Sequence, residues 1–334
     1  MKAFFHPSQN KHCPQTYLNR GQMRPPQELP ERCPELLKGM EICGVQVEEP
    51  RDHGMHPISK VHDLGYLRFL ASAHERWPED WGEEVMSNIF VREPNHMQGI
   101  LAECARYQAD GSCPIGAGTW EAAYWSAQSA LSGADELLGG AQRAYAMSRP
   151  PGHHARRDAA GGFCYLNNAA IAAEALRSRF NRVAILDPDM HHGQGIQEIF
   201  YERDDVLYIS IHGDTTNFYP VVSGHEQERG KGAGYGYNIN MPMPHGSPES
   251  TFFERMDEAE QAINLYEPEV LVVSLGFDIY EQDPQAKVSV SNGGFRQLGE
   301  QIKRMNLPVL VVQEGGYYLE ALAENARAFF EGLD

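Results

Sequence analysis

From about residue 116 onward, short apolar runs alternate along the chain with stretches of helical character. The runs Val183–Leu186, Val206–Ile211, Val270–Leu275 and Pro308–Val312 are rich in Val, Ile and Leu, as buried strands are, and Arg143–Met147 precedes them. Between them lie predicted helices. They cover 116–138, with Thr119 near its start and Gly139-Gly140 as its stop, then the Ala-rich 166–180 and a shorter 195–203. Ser247-Pro248-Glu249 opens another helix that runs to about Tyr266, and 294–305 and the C-terminus supply two more. This alternation predicts an α/β fold with a central parallel β-sheet flanked by helices on both faces. The 334 residues show no composition break, so a single domain over 1–334 is expected.

Residues 78–113 do not follow the pattern. They read as an irregular insertion that carries Asp80, Glu83, Glu84, Glu93, Glu103 and Asp110, with aromatics at Trp77, Trp81 and Phe90. Loops this long inside a compact domain are commonly functional, and the expectation is an active-site rim that also contacts a second copy of the chain.

Four of the apolar runs end in polar residues. Val183–Leu186 leads into Asp187-Pro188-Asp189-Met190-His191-His192-Gly193, and Val270–Leu275 leads into Gly276-Phe277-Asp278. In extended backbone residues i and i+2 share a side, so Asp189 and His191 converge while Met190 points away. Asp278 makes a third ligand, and three protein ligands plus an open position describe a catalytic zinc. Arg143–Met147 leads into Ser148-Arg149-Pro150-Pro151-Gly152-His153-His154, and Pro308–Val312 into Gln313-Glu314-Gly315-Gly316-Tyr317. Ligands of open α/β sheets bind outside the carboxyl ends of the strands, which is where these four ends collect.

Composition narrows the partners. A net charge of −18 disfavours nucleic acid and fits a small cationic substrate. No stretch approaches the roughly 18 consecutive apolar residues of a membrane span. The apolar run in MKAFFHPSQNKHCP is too short for a signal peptide, so a cytoplasmic protein with no membrane partner is expected. The six cysteines lack CxxC spacing and read as reduced thiols.

The motifs RPPGHHA, DPDMHHGQG, LGFD and EGGY, in this order over residues 149 to 317, resemble the histone deacetylase superfamily. EGGY and the acidic insertion are most similar to its bacterial acetylpolyamine amidohydrolase branch, and HDLGYLRFL at 62–70 extends the resemblance over almost the whole chain. The resemblance implies an arginase/deacetylase-like fold, one Zn²⁺ per chain and hydrolysis of N-acetylated polyamines. Fe²⁺ or Co²⁺ are possible substitutes, because a carboxylate-rich site is not strongly selective for zinc.

It also implies roles. His154 acts as base and then acid toward the leaving amine, and His153 is its electrostatic partner, oriented by Asp187. Gln194 stands where the classical histone deacetylases carry an Asp to orient His154; a neutral amide there should leave His154 less basic. Tyr317 supplies a hydrogen bond to the developing oxyanion. Phe163 matches an aromatic tunnel wall, with Tyr219, or failing that Phe218, opposite. Asp187 and Ser210 match a monovalent-cation site, K⁺ in kind. Glu103 and Asp110 are candidates for the distal ammonium. Ser112 replaces the Asp that clamps a peptide backbone in protein lysine deacetylases, which sets acetylated proteins or peptides second among substrates. The related two-manganese ureohydrolases are disfavoured, since Gly193 and Tyr280 stand where their extra carboxylates would be. A non-enzymatic metal-containing binder would need neither a base nor an oxyanion donor.

Overall fold

The computed structural model describes residues 1–91 and 97–334, so Glu93 of the insertion lies outside the described residues. Eight strands form one sheet: β1 (Lys2–Phe4), β2 (Gln46–Glu48), β3 (Arg143–Ala146), β4 (Val183–Asp187), β5 (Val206–Gly213), β6 (Asn238–Met243), β7 (Val270–Leu275) and β8 (Val309–Gln313). Their order is β2-β1-β3-β8-β7-β4-β5-β6, and every pairing is parallel. Alternate residues feed two cores. Ala184, Leu186, Leu271, Val273, Val309 and Val311 pack on one face with the helices Arg32–Ile42, Glu249–Tyr266, Asn292–Arg304 and Leu319–Leu333. Val183, Ile185, Val270, Val272, Leu310 and Val312 pack on the other with Thr119–Leu138, Asn168–Leu176 and Gln194–Phe200. Central strands buried on both faces read as unbroken apolar runs for this reason.

The topology places the chemistry. The four strands with polar ends, β3, β8, β7 and β4, are consecutive in the middle of the sheet. After β7 and β8 the chain passes to helices on the first face, and after β3 and β4 to helices on the second. Where neighbouring strands send their connections to opposite faces a crevice opens at their carboxyl ends. β7 and β4 are such neighbours, and Asp278 and Asp189 stand on its two sides.

Several element bounds differ from expectation. The helix expected from 116 begins at Thr119, whose hydroxyl accepts from Gly116 N at 2.9 Å and holds the preceding turn out of the helix. The helix expected over 166–180 is Asn168–Leu176, its start fixed by the Asn167 side chain, which accepts from Ala170 N at 3.0 Å. The helix expected over 195–203 is Gln194–Phe200. Within the insertion Ile100–Tyr107 is helical, with Tyr107 packed at 5.2 Å against Phe69 of the helix Leu64–Ser72.

Candidate active site

Asp189, His191 and Asp278 are buried, and their ligand atoms lie within 4.8 Å of one another. His191 Nδ1 faces both carboxylates, 3.0 Å from Asp278 Oδ2 and 3.4 Å from Asp189 Oδ1. The outer oxygens are held by backbone: Asp189 Oδ2 accepts from Gly315 N at 2.9 Å, and Asp278 Oδ1 from Met190 N at 3.0 Å. Such outer hydrogen bonds orient metal ligands. Burial and the facing Asp189 push the Asp278 carboxyl up, so two ionised carboxylates here need positive charge beside them, from the His191 imidazole they raise in turn or from a metal ion. The donor set therefore fits a divalent cation. Gly276 and Gly315 make the close approach possible, since a Cβ on either would lie within 2.8 Å of Asp189 Oδ2.

A second group, His153, Cys164 and Glu314, also brings ligand atoms within 4.8 Å. It is closed to a metal. Glu314 Oε2 accepts from Gly152 N at 2.6 Å and His153 N at 3.1 Å, Oε1 accepts from the Ser274 hydroxyl at 2.9 Å, and burial raises the Cys164 thiol well above its ordinary value. Glu314 instead ties the His-His loop to β7.

The two histidines differ in their partners. His153 Nδ1 lies 3.1 Å from Asp187 Oδ2, which also accepts from the Tyr208 hydroxyl at 2.8 Å. Burial pulls the His153 pKa down, but Asp189 and Asp187 outweigh it and raise it to about 10. His154 Nδ1 lies 2.6 Å from Gln194 Oε1; burial, then the charge of His153, holds His154 well below the usual histidine value. Tyr317 is set by its backbone, whose N–H donates to Asp283 Oδ2 at 2.6 Å, and burial pushes its phenol up.

A cavity of about 250 Å³ opens onto His154, His191 and Tyr317, between Phe163 and Tyr219, with Tyr17, Arg20, Asp110 and Gln285 further along its lining. Phe218 stacks on the His191 ring at 4.7 Å and lies outside that lining. The two acidic candidates for the distal ammonium fare differently. Glu103 is not brought to the cavity, and its carboxylate is engaged by Arg76. Asp110 lines it, yet both oxygens are occupied by Ser112 N at 2.8 Å, the Ser112 hydroxyl, Gly162 N at 3.2 Å and the Tyr219 hydroxyl at 2.7 Å. Ser210 pairs with Asp187 across β4 and β5, and its hydroxyl lies 2.8 Å from His212 Nδ1.

Residues 26–333 match the family described as histone deacetylase domain. The chain belongs to the histone deacetylase family. It is 61% identical over 336 residues to a protein of Burkholderia pseudomallei named acetylpolyamine amidohydrolase, covering 100% of this chain and 98% of the other. It is 41% identical over 331 residues to acetylpolyamine amidohydrolase 1 of Pseudomonas aeruginosa, covering 97% and 96%. A crystal structure of acetylpolyamine aminohydrolase from Burkholderia pseudomallei superposes with a TM-score of 0.99 at 61% identity, covering 100% of this chain and 98% of that one.

In this deacetylase-family chain, sequence reasoning missed the charges that brace the site. Arg32 Nη1 donates to Glu28 Oε1 at 2.8 Å, Nε to Gly316 O at 2.6 Å and Nη2 to Glu314 O at 2.5 Å, so it clamps the backbone before Tyr317. Arg149 Nε lies 2.9 Å from the same Glu28 oxygen in charge contact, not aligned as a hydrogen bond, and Arg149 also donates to Gln9 O and His12 O. Glu28, Arg32 and Arg149 are each 1% exposed, so none has water as an alternative partner. Nothing in the sequence distinguishes Glu28 or Arg32 from surface charge, whereas Arg149 sits in RPPGHHA. Glu28→Ala leaves two buried guanidinium groups uncompensated and should cost roughly 3–5 kcal/mol. Urea unfolding measures it; a midpoint close to that of the wild type would mean that Glu28 is dispensable.

Proposed function

We propose that this chain is a zinc-dependent amidohydrolase that removes the acetyl group from small acetylated polyamines of the acetylputrescine, acetylcadaverine or acetylspermidine class, releasing amine and acetate. The observation that carries the chemistry is the convergence of Asp189, His191 and Asp278 beside His154 and Tyr317 at one narrow, aromatic-walled cavity. The substrate class follows the names of the relatives that match nearly the whole chain. A linear amine chain suits the space between Phe163 and Tyr219.

Asp189, His191 and Asp278 would hold a divalent ion, which would supply Lewis acidity toward the acetyl carbonyl and toward water. His154, neutral near pH 7, takes the proton from the attacking water and returns it to the leaving amine. His153, whose Nδ1 is paired with Asp187 Oδ2, stands against the His154 ring as its electrostatic partner. Tyr317, whose phenol resists ionisation, donates a hydrogen bond to the oxygen that gains charge. We assign a monovalent cation, K⁺ in kind, to Asp187 and Ser210. A homodimer is part of the same reading. Trp81, Ile89, Phe90, Val91 and Met97 of the insertion are exposed apolar side chains, and a second copy would cover them.

The purified protein should hold about one zinc per chain by elemental analysis, and Asp278→Asn should lose metal and activity together. Two tightly held divalent ions per chain would refute the mononuclear assignment.

Tyr317→Phe should fold, keep its metal and lose roughly 10²-fold or more in kcat on acetylputrescine, the cost of one oxyanion donor. Near-normal turnover would make Tyr317 a packing residue.

Sedimentation should find a dimer that Ile89→Asp with Phe90→Asp converts to a monomer. A dimer that survives this charge pair would place the interface elsewhere.

A further inference from the structure

The neutral Gln194 beside His154 is the end of a chain of hydrogen bonds whose direction is fixed at its far end. Asp110 accepts from a backbone N–H at each oxygen, from Ser112 N at 2.8 Å and from Gly162 N at 3.2 Å. A carboxylate has only acceptors to offer, so the Tyr219 hydroxyl, 2.7 Å from Oδ2, must donate. Its single proton is then spent. What Tyr219 presents to Gln194, 3.1 Å away, is an acceptor, so Gln194 must turn its NH₂ toward Tyr219 and its carbonyl toward His154 Nδ1 at 2.6 Å. Nδ1 must carry the proton, and the lone pair of neutral His154 falls on Nε2. A general base needs its lone pair at the nitrogen away from its orienting partner.

We propose that Asp110 is a positioning residue that sets the tautomer of His154 through Tyr219 and Gln194. The geometry around the chain is tight. Gly162 has φ +55, and a Cβ there would lie 2.4 Å from His154 Cδ2 and 2.7 Å from Tyr219 Cε1. The His154 and Tyr219 rings meet edge-on with centroids 4.8 Å apart. His154, Tyr219 and Gly162 therefore hold one another at fixed spacing, and an amide with no preferred orientation of its own inherits one from a carboxylate at the cavity wall. In Asp110→Asn the carbonyl stays with Ser112 N, the shorter backbone contact, while Gly162 N keeps the Ser112 hydroxyl at 3.1 Å, so the NH₂ turns to Tyr219 and reverses every link, putting the His154 proton on Nε2. Tyr219→Phe cuts the chain in the middle.

The inference rests on His154 as the base of the proposed hydrolysis, and its first test does not depend on activity. Nitrogen-15 NMR of histidine-labelled protein, with His154 assigned through His154→Ala, should find the Nδ1–H tautomer in the wild type and its loss in Asp110→Asn and Tyr219→Phe. Kinetics supply the second readout, on acetylputrescine and on its uncharged analogue N-butylacetamide. Both variants should lower kcat on both substrates by about tenfold, within the range that general acid–base catalysis contributes. In a Gln194→Glu background, where a carboxylate meets Nδ1 directly, Tyr219→Phe should cost much less than it does alone, a coupling that a double-mutant cycle reads.

An Nε2–H tautomer in the wild type would overturn the proposal, as would an equal cost of Tyr219→Phe in both backgrounds. If Asp110→Asn raised only the KM for acetylputrescine, Asp110 would be an ammonium ligand instead. A wild-type enzyme inactive on both substrates would remove the proposed function and leave the relay to the NMR result.

Discussion

Two carboxylates and an imidazole, buried with their donor atoms within 4.8 Å of one another, are tolerable only around a positive charge. That electrostatic demand organises this end of the sheet. It requires β4 and β7 to be neighbours with their onward connections on opposite faces, and it requires glycine at 276 and 315 so that the backbone of two strand ends can close on the carboxylates. It also explains why the next layer of groups is oriented as it is. Gly315 N and Met190 N are donors aimed at the outer oxygens, and His153 adds a proton beside Asp189.

The loops that carry His153, His154 and Tyr317 are irregular, and irregular backbone near a reaction centre must be held from outside. Here buried charge does the holding. Glu28 faces two guanidinium groups, one of which grips the carbonyls of Glu314 and Gly316 and the other those of Gln9 and His12. The Glu314 side chain returns the favour by accepting from the backbone of Gly152 and His153. A donor that stabilises charge in a transition state acts best when it needs no rearrangement, and a loop fixed at both ends by multidentate contacts meets that condition.

The four central strands and their polar ends were legible because burial on both faces makes continuous apolar runs and because each run stops at a residue type that suits a metal or a base. β1 and β2 were not, since three residues are too few to establish a period. β6 hides for a different reason. Its sequence, Asn238-Ile-Asn-Met-Pro-Met, has Asn and Pro where a central strand would be apolar, and it can form only because it is an edge strand. Glu28 and Arg32 lie far from the motifs in sequence, so their service to the site could not be read. Glu103 misled because an acidic residue in an acidic insertion looks like a receptor for an amine, whereas Arg76 already satisfies it.

His191 and Asp278 are separated by 87 residues, and Arg32 and Gly316 by 284. The centre is thus made from contacts between distant parts of the chain, each of which carries the entropy of closing a long loop. A metal seated between β4 and β7 would bind only chains in which that pairing is complete. It would act as a clasp on the middle of the sheet, so that ion occupancy and global folding stability become one coupled equilibrium.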